Sequence, residues 1–254
     1  MEIVFEKQSF FKKLKGLINV DFRRMFTMPL VYIMIGISFF MPILILVMIS
    51  MMAESNEASS FTNTWQIIGS TGLTTSMDLT SMCNINMLFF ISVIFVCIFV
   101  SDDFKSGFSK NLFTNHFNKY EYIISKTASC FIGSSLMLVA YLIGAIIGGN
   151  IAGLSFSTVE FGVSGVIFCF ISKIFLLLIF ISLALLFSII SKQKLWLSII
   201  LSLVSCMLIY TMIPMIAPIT STFINVLLSL IGGIVSNALI SLISNLVLNK
   251  TNLV

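Results

Sequence analysis

Charge is scarce in this sequence. Asp, Glu, Lys and Arg make up only 9% of its 254 residues, against roughly 25% in a soluble domain. Hydrophobic residues reach 58%, and the mean hydropathy is +1.11. Too little polar surface is left to cover a water-soluble fold, so the composition reads as an integral membrane protein. Its apolar runs are of helical membrane length, which excludes an outer-membrane barrel. In lipid, helices must then satisfy the backbone.

The other absences narrow the chemistry. The single histidine, His116, lies in a polar stretch and reads as a surface residue rather than a ligand. Cys83, Cys97, Cys130, Cys169 and Cys206 form no CxxC pair and mostly fall in apolar runs, which suits packing rather than zinc or disulfides. No Gly-x-x-x-x-Gly-Lys-Ser/Thr element is present, so no nucleotide is expected on a P-loop of this chain. The apolar runs hold no paired acids, which argues against intramembrane aspartyl proteolysis and an acid-based proton relay. Ser164 has no base to activate it. No basic tract is interleaved with aromatics, so no nucleic acid partner is expected. The chain is therefore not read as an enzyme.

What is present is a set of six apolar runs, at 30–52, 84–100, 123–148, 162–190, 195–213 and 223–247. Ahead of them, in 1–29, Phe11, Leu14, Ile18, Phe22 and Met25 step by three or four, while Lys12, Lys15, Asn19 and Arg23 take another face. That pattern predicts a basic amphipathic helix lying along lipid headgroups. Residues 53–83 hold Glu54, Glu57 and Asp78 but no Lys or Arg, with a short half-buried helix expected around Trp65 to Leu73. A second such loop, 150–161, carries only Glu160. All of the fourteen Lys and Arg except Lys173 fall on the opposite side from these loops. By the positive-inside rule both termini are expected in the cytoplasm of a multi-pass plasma membrane protein. One all-α membrane domain is expected, with no soluble appendage.

A second long polar stretch between membrane-length runs, and the one that carries lysines, is Ser101 to Lys126. Phe104, Phe108, Leu112 and Phe113 recur there at helical spacing, with Lys105, Ser109 and Lys110 between them. A short amphipathic helix is predicted, its apolar face held at a membrane surface or pressed into a partner. Gly144, Gly148 and Gly149 provide small-residue spacing for close helix contact.

Lys173 is the one charge inside an apolar run. Placed deep in the bilayer it would mark function; if a span of Ile174 to Ile190 suffices, it snorkels to the outer headgroups. The shorter span is long enough, so snorkelling is the expectation. On the fifth run Ser198, Ser202 and Ser205 share a face, with Tyr210 near its end, and Asn84 and Asn86 open the second run. These six are the candidates for a mildly polar translocation path, against serines that bond back to their own helix. Fifteen Met and twenty-five Phe suit soft, amphipathic cargo or simply face lipid.

Together these features resemble the type 2 ABC-exporter permease family. The resemblance covers nearly the whole chain and is most specific between the second and third runs. An acidic residue (Asp102 or Asp103), a small-Gly element (Ser106-Gly107), a basic residue (Lys110) and a Lys opening the third span (Lys126) follow in the family's order. It implies six spans and a coupling helix that docks on a separate ABC ATPase subunit. The coupling residues would be Phe104, Lys105, Gly107, Phe108, Lys110, Leu112 and Phe113. It further implies ATP and Mg on that partner rather than on this chain, and a second permease copy or paralogue to complete a dimer. The cargo would be hydrophobic or amphipathic, with amphipathic peptides favoured. The rival reading is a self-sufficient secondary transporter or channel, for which Lys173 and the prolines Pro42, Pro214 and Pro218 are the only candidate devices.

Overall fold

A computed structural model describes residues 10–55, 63–69, 84–114, 118–158 and 162–250, and these residues fold into ten helices. Readings that rest on Glu57, Asp78, Cys83, His116, Phe117 and Glu160 lie outside the described residues. The helices are α1 (Phe10–Thr27), α2 (Pro29–Ser55), α3 (Thr64–Gly69), α4 (Met87–Lys105) and α5 (Phe108–Thr114). They continue with α6 (Lys119–Ile151), α7 (Val163–Ser191), α8 (Leu195–Tyr210), α9 (Ile213–Ile216) and α10 (Phe223–Lys250).

Five of these, α2, α4, α6, α7 and α10, are long and apolar enough to cross a membrane. The run expected as a span over 195–213 forms a helix of only 16 residues, ending at Tyr210. At 1.5 Å per residue that is about 24 Å, short of the roughly 30 Å hydrocarbon core. A turn at Thr211 and Met212 then leads into α9, which adds one more turn of helix.

Apolar distribution decides which helices lie inside. α4 buries twelve of its 19 residues, Phe89, Val93, Phe95, Val96, Phe99 and Val100 among them; a helix so largely covered belongs at the centre. α2 and α10 bury few side chains and expose wide apolar faces, including Ile33, Phe40, Leu44, Ile231, Val235 and Leu242. They form the outer wall, α2 against α6 and α10 against α7. Phe89 of α4 stacks on Phe180 of α7 with centroids 4.6 Å apart, tying the centre together.

Two ends of the bundle are distinguishable. At one, the ends of α1, α4 and α10 meet the start of α6, where Lys119 Nζ donates to the Leu248 carbonyl at 2.7 Å. At the other, α3 leans on the far end of α6, with Thr64 N–H donating to the Ser155 carbonyl at 2.9 Å. There too Asn225 Nδ2 donates to the Ile216 carbonyl at 3.1 Å. The α8–α9 segment therefore runs from the first end to the second despite its short helix. The half-buried helix expected around Trp65 is α3, with Thr64, Ile67 and Ile68 inside and Trp65 edge-on to Phe156 and Phe170.

Boundaries differ from the apolar runs where polar side chains satisfy backbone. The second apolar run opens as a turn, Asn84 Oδ1 accepting from Asn86 N–H at 2.9 Å, and the helix proper starts at Met87. It then continues past Val100 to Lys105. α6 starts ahead of the expected Ile123, because Asn118 and Glu121 cap it and the Glu121 carboxylate accepts the Asn118 N–H at 3.3 Å.

Candidate functional site

The first end of the bundle holds a charge cluster that no apolar pattern announces. On α1, Leu17, Asp21 and Met25 succeed each other at four-residue spacing, and all three are buried. Asp21 thus occupies a core position in an otherwise apolar stripe. It is not among the residues of the face expected from Phe11, Leu14, Ile18, Phe22 and Met25, and Phe11 itself is exposed. Opposite, α6 presents Tyr122, Ser125, Lys126 and Gly133. A Cβ at Gly133 would stand 3.0 Å from the Met25 sulfur and 3.0 Å from the Phe95 ring, so glycine lets α1 and α4 close on α6 there.

Lys126 Nζ lies at the centre, 2.7 Å from Asp21 Oδ1 and 2.7 Å from Asp103 Oδ2, all three side chains fully buried. Arg24 reaches Asp103 Oδ1 at 2.7 Å and the half-exposed Asp102 at 3.5 Å. The Tyr122 hydroxyl donates to Asp103 Oδ2 at 2.9 Å and the Ser125 hydroxyl to Asp21 Oδ2 at 2.5 Å. Two buried carboxylates therefore face two cations, and hydroxyls complete their hydrogen bonding. That arrangement is what buried charge requires. Burial pushes the Asp21 carboxyl above its ordinary range, while the adjoining Lys126 and Ser125 pull it back down. Aromatic rings close the cluster off from solvent, with Phe99 4.3 Å from Lys126 Nζ and Phe108 4.1 Å from the Arg24 guanidinium. The cluster bolts α1, the end of α4 and the start of α6 into one unit.

Over the predicted coupling stretch the single apolar face is corrected to two elements. Gly107 adopts φ +72 and breaks the helix between Lys105 and Phe108; a Cβ there would touch nothing, so glycine is favoured by backbone conformation alone. Phe104 consequently belongs to α4 and is buried in the core. Phe108 turns inward over Arg24, Phe113 packs edge-on to Tyr122 at 5.5 Å, and Leu112 is buried. The groups that face outward are Lys105, Ser106, Lys110, Asn111 and Thr114.

Lys173 is corrected as well. It sits ten residues into α7, about 15 Å along the axis, and is 3% exposed, so it does not snorkel. Its ammonium donates to Asn86 Oδ1 at 2.5 Å. Asn84, also buried, lies in the same turn as Asn86. Two of the six path candidates thus gather beside a cation inside the bundle. The others lie between helices: Ser198 shares a hydrogen bond with Ser188 of α7 at 2.7 Å, and Ser202 accepts from the Cys97 thiol of α4 at 3.3 Å. Ser205 is half-buried, and Tyr210 packs on Phe90 at 5.2 Å. Ser198 and Ser202 thereby fasten α8 to its neighbours.

No protein-family model, no curated protein and no solved structure matches the chain.

The Lys173–Asn86 pair can be tested directly. Lys173 faces an amide and pairs with no carboxylate among the described residues, so an apolar side chain of similar length removes a costly buried charge without stranding a counter-ion, and leaves only the Asn86 carbonyl oxygen without its donor. Lys173→Met is therefore expected to leave the thermal unfolding midpoint in detergent unchanged or raised. A lowered midpoint would make the pair a structural tie.

Proposed function

We propose that this chain is the permease subunit of an ATP-driven exporter, with both ends of the chain and the α5 end of the bundle in the cytoplasm of a plasma membrane protein. The observation that carries the reading is the fused unit of α1, α4, α5 and α6. α5 is a short helix set off from α4 by a left-handed glycine and clamped through Phe108 and Arg24 onto a buried ionic cluster. A push on α5 or α1 is passed by short, stiff contacts to α4, the most buried helix, and to α6. An ATP-driven exporter subunit with no nucleotide motif of its own needs such an input from outside.

In this reading a separate ATPase holds ATP and Mg and contacts the outward groups Lys105, Lys110, Asn111 and Thr114. The α8–α9 segment serves as the sixth span, its missing length made up by the turn and α9. The wide apolar faces of α2 and α10 meet lipid and a second permease copy or paralogue. Cargo is hydrophobic or amphipathic, which the Phe- and Met-rich composition suits, with amphipathic peptides favoured by the resemblance to the permease family.

The test is co-purification from native membranes, followed by ATP turnover of the captured ATPase in vesicles. Lys105→Glu with Lys110→Glu is expected to reduce capture at least several-fold while leaving thermal unfolding unchanged. Phe108→Ala is expected to behave differently, lowering the unfolding midpoint because it uncovers Arg24 and the cluster. If the charge-reversed variant captures the ATPase as well as the parent, docking lies elsewhere.

A second reading, a self-sufficient secondary transporter, is favoured by one observation: Lys173 is a buried ionisable group inside the bundle, the kind of residue such proteins use. Cargo uptake into vesicles driven by a proton or ion gradient, without nucleotide or ATPase, would select it.

A further inference from the structure

Beside the cluster, between the α4–α5 break and the turn that joins α7 to α8, lies an open groove of about 620 Å³. Four lysines line it, Lys105, Lys110, Lys192 and Lys194, and among the described residues no acidic side chain does. None of the four takes part in the ion pairs of the described residues, which belong to Arg24 and Lys126. A concave surface with this charge calls for an anion.

Two further observations indicate what kind. Ser191 lines the groove, and its hydroxyl, buried from solvent, has no hydrogen-bond partner among the described residues. A hydroxyl without a partner there would gain one by turning toward a bound anion. Lys192 next to it adopts φ 52 and ψ −111 at the first corner of a tight turn, closed by Lys194 N–H donating to the Ser191 carbonyl at 3.0 Å. That corner favours glycine, yet it carries a lysine that lines the groove.

The lower wall is apolar. Ile190 and Leu197 line it, and beyond it Trp196 and Ile200, four residues apart on α8, are more than half exposed. An exposed tryptophan where an apolar helix meets charged residues is the usual mark of the headgroup level. Four lysines, an unpartnered hydroxyl and apolar side chains thus belong to the lining of one groove. We propose that the groove binds the phosphate of an anionic phospholipid, whose acyl chains run down α8 past Trp196. An acidic protein segment would satisfy the lysines but would leave that descending apolar wall unused. The inference rests on Lys192 and Lys194, which the ATPase contact proposed above does not use.

The experiment is native mass spectrometry of the full chain in detergent, exchanged with phosphatidylglycerol or with phosphatidylcholine of identical acyl chains. The parent protein is expected to retain phosphatidylglycerol preferentially. Lys192→Gln with Lys194→Gln should lower that retention about thirtyfold, the equivalent of about 1 kcal/mol per lysine, and Ser191→Ala should lower it further. Lys192→Arg with Lys194→Arg should keep it, which separates lost charge from lost folding. Lys119→Gln, on α6 away from the groove and with its ammonium held by the Leu248 carbonyl, should leave it unchanged. Equal retention by the glutamine variant, or equal loss in the Lys119 control, overturns the proposal. Displacement of the lipid by millimolar inorganic phosphate would show a free-phosphate site instead. A polyglutamate peptide that binds the parent but not the glutamine variant, with no lipid preference, would show a protein-docking site instead.

Discussion

Lys126→Met is expected to destabilise the protein by about 3–5 kcal/mol, the usual consequence of removing one partner from a buried ion pair. Among the described residues Lys126 is the only cation that touches both buried carboxylates, at 2.7 Å each. Without it Asp21 keeps only the Ser125 hydroxyl, and Asp103 must rely on Arg24 and Tyr122. The larger part of the loss should therefore arise at Asp21, which has no second cation among the described residues. That gives a sharper test than the single variant. Asp21→Asn combined with Lys126→Met removes one charge of each sign and leaves Asp103 balanced by Arg24. The double variant is expected to recover a substantial part of the loss, so that the two changes are strongly non-additive. Thermal unfolding of the purified protein in one detergent reads both. An unfolding midpoint unchanged in Lys126→Met would show that the cluster is solvated and does not hold α1 to the bundle.

Much of the architecture follows from hydropathy and charge placement. Apolar runs of membrane length become helices because lipid leaves the backbone no other partner. The one-sided lysines and arginines correspond to a bundle in which Arg24, Lys119, Lys126 and Lys192 all gather at one end. The run at 195–213 is different: hydropathy counts apolar residues but does not register that the helix breaks after Tyr210. Within the long runs, boundaries depend on side chains that hydropathy treats as noise, such as Asn84 folding back on Asn86 or Glu121 capping α6.

The site is legible in the sequence only in pieces. Asp103 and Lys126 stand out as charges at the mouths of apolar runs, but nothing local says that they touch. Asp21 is visible as a lone acid among basic residues, and its spacing from Leu17 and Met25 carries the missing signal. An acid four residues from two buried apolar neighbours belongs to their face, and must find a cation there. Phe108 misleads for the opposite reason: periodicity places a residue on a helix face but does not say which partner that face meets. Its partner is the protein's own Arg24. Lys173 misleads because the shortest sufficient span need not be the actual one; α7 starts at Val163, where Gly162 takes φ +70.

The second large effect concerns glycine, and its sign depends on position. Gly144 and Gly148 lie one turn apart on α6 and face α2. A Cβ at Gly144 would collide with the Phe39 carbonyl oxygen and lie 3.1 Å from the Pro42 ring, and at Gly148 it would stand 2.7 Å from the Ile43 Cα. Those obstacles are mostly backbone, which cannot rotate out of the way as a side-chain tip does. Pro42 adds to the constraint, since proline removes a hydrogen bond from the middle of α2 and fixes its local course. Either Gly144→Ala or Gly148→Ala must then push α2 off α6 along much of their shared length. The expected loss is about 1–3 kcal/mol each, the range for overpacked interiors. Gly36 lies on the same helix α2, yet a Cβ there meets nothing within 4 Å. Gly36→Ala should therefore show only the helix-propensity term, a gain of about 0.5–1 kcal/mol. Opposite shifts in the unfolding midpoint, measured side by side in one detergent, are the expected result. A loss at Gly36 equal to that at Gly144 would mean that α2 and α6 do not pack backbone to backbone, and that the small residues serve flexibility instead.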